Sequence, residues 1–214
     1  LFTDGRYTIQ SQLESGKNFK IYGFEKLINC KLFKNLNLGV DPKLFTNTQI
    51  KNYFLKNNKI KFINKNLIDG IKKQKRNSIS PFFSLNKNIV GETVASKVKK
   101  ISNYLKKKNS DYIFISAPEN VAWLLNIRGK DSPNSPIPNS RLIISRKNKI
   151  LLLSKKNRCE KIIKNKILKI NQFLDIDKFP KEILKLKGKN FIIDDKSCSI
   201  FYENLIKSKF RIID

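Results

Sequence analysis

Residues able to carry acid–base or metal chemistry are scarce in this sequence. None of the 214 residues is histidine. That removes Ser-His catalysis, Cys-His catalysis and His-ligated metal sites together, because no other side chain has an unperturbed pKa near neutrality. The acidic groups close enough to suggest paired-carboxylate catalysis or a hard cation are Asp194 with Asp195, Asp175 with Asp177, and Glu14. A strand running to Asp194 would send Asp194 and Asp195 to opposite faces, so that pair does not converge. Cys30, Cys159 and Cys198 lie far apart with no Cys-x-x-Cys pair, and read as buried thiols of a reducing cytoplasm. Each of the 8 glycines is isolated, which excludes dinucleotide and P-loop fingerprints. One segment stands apart. From Trp123 to Asn139 the sequence joins its single Trp to Arg128, Asp131 and a proline-rich stretch holding Pro133, Pro136 and Pro138. Such a loop keeps a fixed shape without sheet pairing. Either it serves binding, or it carries the chain from a helix to an outer strand with Trp123 in the core.

The charge balance sets the remaining bounds. Lys and Arg number 45 against 17 Asp and Glu, a net +28, which makes nucleic acid the obvious partner to consider. Only Arg6, Arg76, Arg128, Arg141, Arg146, Arg158 and Arg211 are arginines, however, and readout of bases and phosphates favours the guanidinium fork. The lysines are spread along the chain among many Asn and Ile, as a compositional bias would place them. This argues against a nucleic-acid partner, although a basic nucleic-acid-binding module stays the rival reading. No run approaches the roughly 20 apolar residues of a membrane helix, so no membrane partner is expected. Hydrophobic residues at 40%, with 15 Phe, supply a core. The first residue is Leu and no Met occurs, so the chain reads as an internal piece of something longer.

Periodicity places the motifs on elements. Short strands fit Phe19 to Tyr22, Leu38 to Val40 and Lys61 to Ile63, with helices from Thr46 to Leu55 and Leu67 to Ile71. From Asn77 to Asn88 the pattern loses its period and reads as a linker. Thr93 then caps an amphipathic helix with Val94, Val98, Ile101 and Leu105 along one stripe and Lys97, Lys99, Lys100 and Lys106 facing out. Tyr112 to Ile115 is a buried strand, and Pro118 starts a helix through Leu125. Arg141 to Ser145 and Ile150 to Ser154 form a hairpin. After it come helix Glu160 to Ile167, strand Lys169 to Phe173, helix Lys178 to Leu186, strand Asn190 to Asp194, helix Ser199 to Ile206 and strand Phe210 to Ile213. The alternation predicts an α/β fold, a mixed sheet flanked by helices.

Four stretches carry a resemblance: Leu1-Phe2-Thr3-Asp4-Gly5-Arg6-Tyr7 with Gln10; Leu38 to Phe45; Asn66 to Asp69; and above all Asn120-Val121-Ala122-Trp123-Leu124-Leu125-Asn126-Ile127-Arg128-Gly129-Lys130-Asp131 with Pro136. In that order they resemble the creatinase N-terminal type domains of three-domain Xaa-Pro aminopeptidases (aminopeptidase P). The resemblance implies two such domains: 1–85, the C-terminal part of a first domain truncated at its N-terminus, and 86–214, a complete second one. It also implies a pita-bread catalytic domain elsewhere in a cytoplasmic, dimeric parent, a metallopeptidase hydrolase in which two divalent ions, typically manganese, generate a hydroxide that attacks the bond before proline. The implied role of the present residues is architecture: dimer contacts and the walls of the entrance for the peptide substrate. Arg128, Asp131 and Pro136 would face that entrance, Arg128 or Asp131 meeting peptide termini or serving as a structural ion pair. Arg6 is a further candidate for the entrance or for an intersubunit contact. No catalytic residue, metal ligand or cofactor is expected within this chain. A pseudoenzyme interaction module is the other alternative.

Overall fold

The structure, a computed structural model, describes residues 1–27, 34–54, 58–63, 65–71, 80–86, 88–132 and 134–213. The chain divides into two compact units, Leu1–Leu67 and Ile68–Asp214.

In the first unit, β1 (Phe2–Thr3) pairs in parallel with β2 (Tyr22–Gly23). Asp4 caps the 3₁₀ turn Gly5–Tyr7 by accepting the Arg6 N–H, and α1 (Thr8–Glu14) follows. Gly16, at φ +68°, turns the chain just beyond it, as a left-handed residue does past a helix end. β3 (Asn37–Val40) and β4 (Lys59–Phe62) form a second parallel pair, with α2 (Asn47–Tyr53) in the connection. Thr46 and Gln49 complete a reciprocal capping box at the start of α2, satisfying two backbone donors that the helix cannot. The short helix α3 (Leu67–Ile71) begins at the division.

The second unit is built on a mixed six-stranded sheet. Its strands are β6 (Tyr112–Ile115), β8 (Arg141–Ser145), β9 (Ile150–Ser154), β10 (Phe173–Asp175), β11 (Asn190–Ile193) and β12 (Arg211–Ile213), in the order β10-β9-β8-β6-β11-β12. The hairpin β8–β9 and the pair β6–β8 are antiparallel, and the outer pairs are parallel. Alternation along the strands divides the core into two layers. Leu142, Ile144 and Leu152 pack beneath α4 (Val94–Lys107), α5 (Pro118–Leu125) and α6 (Lys156–Lys164) through Val98, Leu124 and Ile162. Phe114, Ile143 and Leu153 face the other way, against Phe179 of α7 (Phe179–Glu182) and Ile206 of α8 (Ile200–Lys207). Each such side chain contributes about 1.5–3 kcal/mol of burial.

Several expectations need correction. Of the proposed linker from Asn77 to Asn88, residues 77–79 and 87 lie outside the described residues. Phe82, however, is fully buried in the core of the second unit, and β5 (Phe83–Ser84) pairs antiparallel with β7 (Ile127–Arg128). The division by contacts falls between Leu67 and Ile68. Lys97 is buried, not solvated. The 3₁₀ turn Ile170–Gln172 precedes β10, which moves that strand later than Lys169 to Phe173. The sheet strand before Asp194 ends at Ile193, and Asp194 instead organises a turn, accepting from the Lys196 N–H and the Ser197 hydroxyl.

Candidate functional site

The segment around Trp123 is assembled by the end of α5. Pro118 sits in the first turn, where its missing N–H costs nothing. At the other end Asn126 adopts φ +53°, a left-handed conformation that Asn tolerates and that reverses the chain into β7. The Asn126 amide donates to the Glu92 carbonyl at 3.1 Å, and its oxygen accepts from Lys97 Nζ at 2.7 Å. Lys97 Nζ also donates to the Trp123 carbonyl at 2.6 Å and lies 4.2 Å from the Trp123 ring centroid. A cation therefore satisfies carbonyls at the C-terminal end of the helix, where the dipole is negative. Burial pulls the Lys97 pKa below its ordinary value, against the opposing charge of Glu92. The sequence contained a signal for this: Lys97 stands three residues after Val94 and four before Ile101, on the border of the apolar stripe. Trp123 itself is 56% exposed, so the structure places its indole at the surface rather than in the core.

The loop that follows is tied from within. Arg128 donates through one guanidinium nitrogen to the carbonyls of Ala122 and Ile127, at 3.0 and 2.9 Å. Gly129 N–H donates to the Pro136 carbonyl at 3.0 Å. A Cβ on Gly129 would stand 2.8 Å from Pro138 Cα and 3.1 Å from an Asp131 carboxylate oxygen, so this close approach requires glycine. Asp131 accepts the Asn139 N–H at 2.5 Å and pairs with Arg158. The Arg158 guanidinium lies 5.9 Å from the Phe82 ring centroid, and its carbonyl accepts the Phe82 N–H at 2.8 Å. Arg128, Asp131 and Pro136 thus share one loop. The first two address the chain itself, while Pro136 is exposed. Pro133 lies outside the described residues. Arg6 belongs to the first unit and pairs with Asp4 at 2.9 Å on an exposed surface. Lys97 and Arg158 are the partners that motif reading did not supply.

This arrangement can bind and position, but nothing in it is an activated nucleophile. Ser116 and Ser197 hydroxyls meet at 2.7 Å, and the Ser197 hydroxyl donates to the Asp194 carboxylate at 2.6 Å within the turn that follows β11. Burial pushes the thiols of Cys159 and Cys198 up to about 12, which keeps them protonated and unreactive. Cys30 lies outside the described residues. Among the described residues no three His, Cys, Asp or Glu side chains cluster so as to hold a metal ion. The donor set of a dinuclear centre is therefore not met by these residues.

Residues 72–214 match the Creatinase/Prolidase N-terminal domain. The chain belongs to that family. Xaa-Pro aminopeptidase 1 of Dictyostelium discoideum is 28% identical over 94% of this chain, and the match covers 36% of that protein. Xaa-Pro aminopeptidase ApepP of Drosophila melanogaster is 30% identical over 68% of this chain and 26% of its own length. This creatinase N-terminal chain thus spans about a third or less of the curated relatives it matches. Its fold is that of the corresponding part of an X-prolyl aminopeptidase from Caenorhabditis elegans, with a TM-score of 0.77 at 21% identity over 99% of this chain and 38% of that one. That protein is described as a cytosolic enzyme with a di-nuclear active site.

Proposed function

We propose that this chain is the non-catalytic N-terminal region of a metal-dependent Xaa-Pro aminopeptidase, a cytoplasmic homodimer, and that it shapes access of peptides to a catalytic domain and assists dimerisation. The observation that carries this reading is the extent of the Dictyostelium match, which takes in 94% of this chain but 36% of the relative. The two divalent ions of such an enzyme, manganese in this reading, belong to the remainder. Within this chain Arg128 and Asp131 act by holding the loop rigid from inside. Pro136 and the exposed Trp123 are then the surfaces offered to the entrance. Arg6, on the first unit, is the proposed intersubunit contact.

The test is reconstitution. The 214-residue chain with added manganese should release no residue from an Xaa-Pro peptide, whereas its fusion to the downstream catalytic part of the same reading frame should do so. Loss of the exposed ring in Trp123→Ala should raise KM for longer peptides more than it lowers kcat. Turnover by the chain alone that survives repurification, or a reading frame without a catalytic part, would overturn the proposal.

A further inference from the structure

A second feature of the larger unit lies at one end of its sheet. Two loops flank a cleft of about 630 Å³, within the size range of small-molecule sites. One is the β8–β9 turn carrying Arg146, Lys147 and Lys149; the other carries Lys187 and follows Lys185, whose ammonium already pairs with Glu182 at 2.6 Å. Ile143, Ile150, Leu151 and Leu186 supply apolar wall between them.

Both loops are fixed. Ser145 Oγ accepts the Lys147 and Lys149 N–H groups at 3.3 and 3.2 Å, Asn148 takes the left-handed position of the turn at φ +60°, and Ser102 Oγ donates to the Arg146 carbonyl at 2.5 Å. Across the cleft, Asp111 accepts the Lys189 and Asn190 N–H groups at 2.7 and 3.1 Å, and Tyr112 OH donates to the Lys187 carbonyl at 2.8 Å. Asp111 is the one carboxylate among the described lining residues, and it is already engaged by Arg146 at 3.2 Å. Lys147, Lys149 and Lys187 make no ion pair among the described residues, so rigid backbone holds several unneutralised ammonium groups around one space. Among the described lining residues no free aromatic face is offered to nucleic-acid bases. The one ring among them, Tyr112, is stacked on Phe191 at 5.2 Å and meets Phe210 edge-on.

We infer that this cleft binds a small phosphorylated molecule with an aliphatic body. A phosphate dianion calls for more than one cation, which the two loops supply, and the apolar wall takes the carbon chain.

Hexyl phosphate titrated into the isotope-labelled 214-residue chain tests this by NMR. Saturable shifts should appear at the amides of residues 147–149 and 187–188. The variant K147S/K149S/K187S should bind about tenfold or more weakly. The charge-matched control K99S/K106S/K164S, on exposed helix faces, should stay within about twofold. Equal weakening in both variants, shifts spread over the whole surface, or no shifts would overturn the site as the general field of a +28 chain. Inorganic phosphate binding as tightly as hexyl phosphate would overturn the aliphatic half. Mapping on the unmodified chain decides the location even where the cleft variant fails to fold, and none of these outcomes depends on peptidase activity.

Discussion

At Gly129 the demands of the loop fall on a single missing methyl group. A Cβ there meets backbone at 2.8 Å, and backbone cannot swing aside as a flexible side chain can. Gly129→Ala should cost about 2 kcal/mol, read as a lower urea midpoint, whereas truncating the exposed Pro136 ring should change stability by about 0.5 kcal/mol. Equal effects at the two positions would show that the loop is not closed as described. The two buried thiols set a different response. Their folded values stand at about 12 against an ordinary 9.0, so above that ordinary value the unfolded chain has released protons that the folded chain retains. Stability therefore falls as pH rises from 9.0 toward about 12, and burial of Tyr112 and Tyr202, whose pKa values are also raised, acts in the same sense. Lys97 acts oppositely. Its lowered pKa means that the unfolded chain holds the extra proton just below 10.5, and stability gains there. Two thiols outweigh one ammonium. Urea unfolding at about pH 8 and about pH 10 should show the loss, and C159A/C198A should remove most of it.

At the scale of elements, periodicity located what burial dictates. The stripe Val94, Val98, Ile101, Leu105 became α4, and the hairpin Arg141 to Ser154 holds as β8 and β9, because strands covered on both faces leave little freedom of register. What escaped was set by contacts distant in sequence. Lys97 is buried by Trp123 and Asn126, at the end of a helix it meets only in three dimensions, and Phe82 is buried in the core cluster that holds Val98, Leu124 and Ile162, its backbone N–H donating to the Arg158 carbonyl. Of the candidate loop, Arg128, Asp131 and Pro136 were legible as a group and a structural ion pair was one of the roles open to Arg128 or Asp131, but neither the Arg158 partner of Asp131 nor the α5 carbonyl that holds Arg128 is visible from spacing. The same physics separates the two units. Helix α1 buries no residue, and Ile9 and Leu13, one turn apart, are 74% and 80% exposed. A seven-residue helix without a buried face is marginal in water. Limited proteolysis should therefore cut within residues 1–67 while a fragment containing residues 80–213 survives. Earlier loss of the C-terminal sheet would contradict that order.

For the whole molecule, the excess of 45 basic over 17 acidic residues matters more than any single ion pair. Several of the described pairs, such as Arg6 with Asp4 and Lys100 with Glu92, have exposed cationic partners, and contacts of that kind are worth little. A net +28 on a folded chain repels itself, and unfolding moves those charges apart. Salt screens that repulsion over about 8–10 Å near physiological ionic strength. Raising sodium chloride from about 50 mM to about 200 mM should therefore raise the thermal midpoint by several degrees, the reverse of what a fold held by surface salt bridges would do. The sign is the discriminating result. A midpoint that falls with salt would mean that local ion pairs, rather than net repulsion, dominate the electrostatics of this chain.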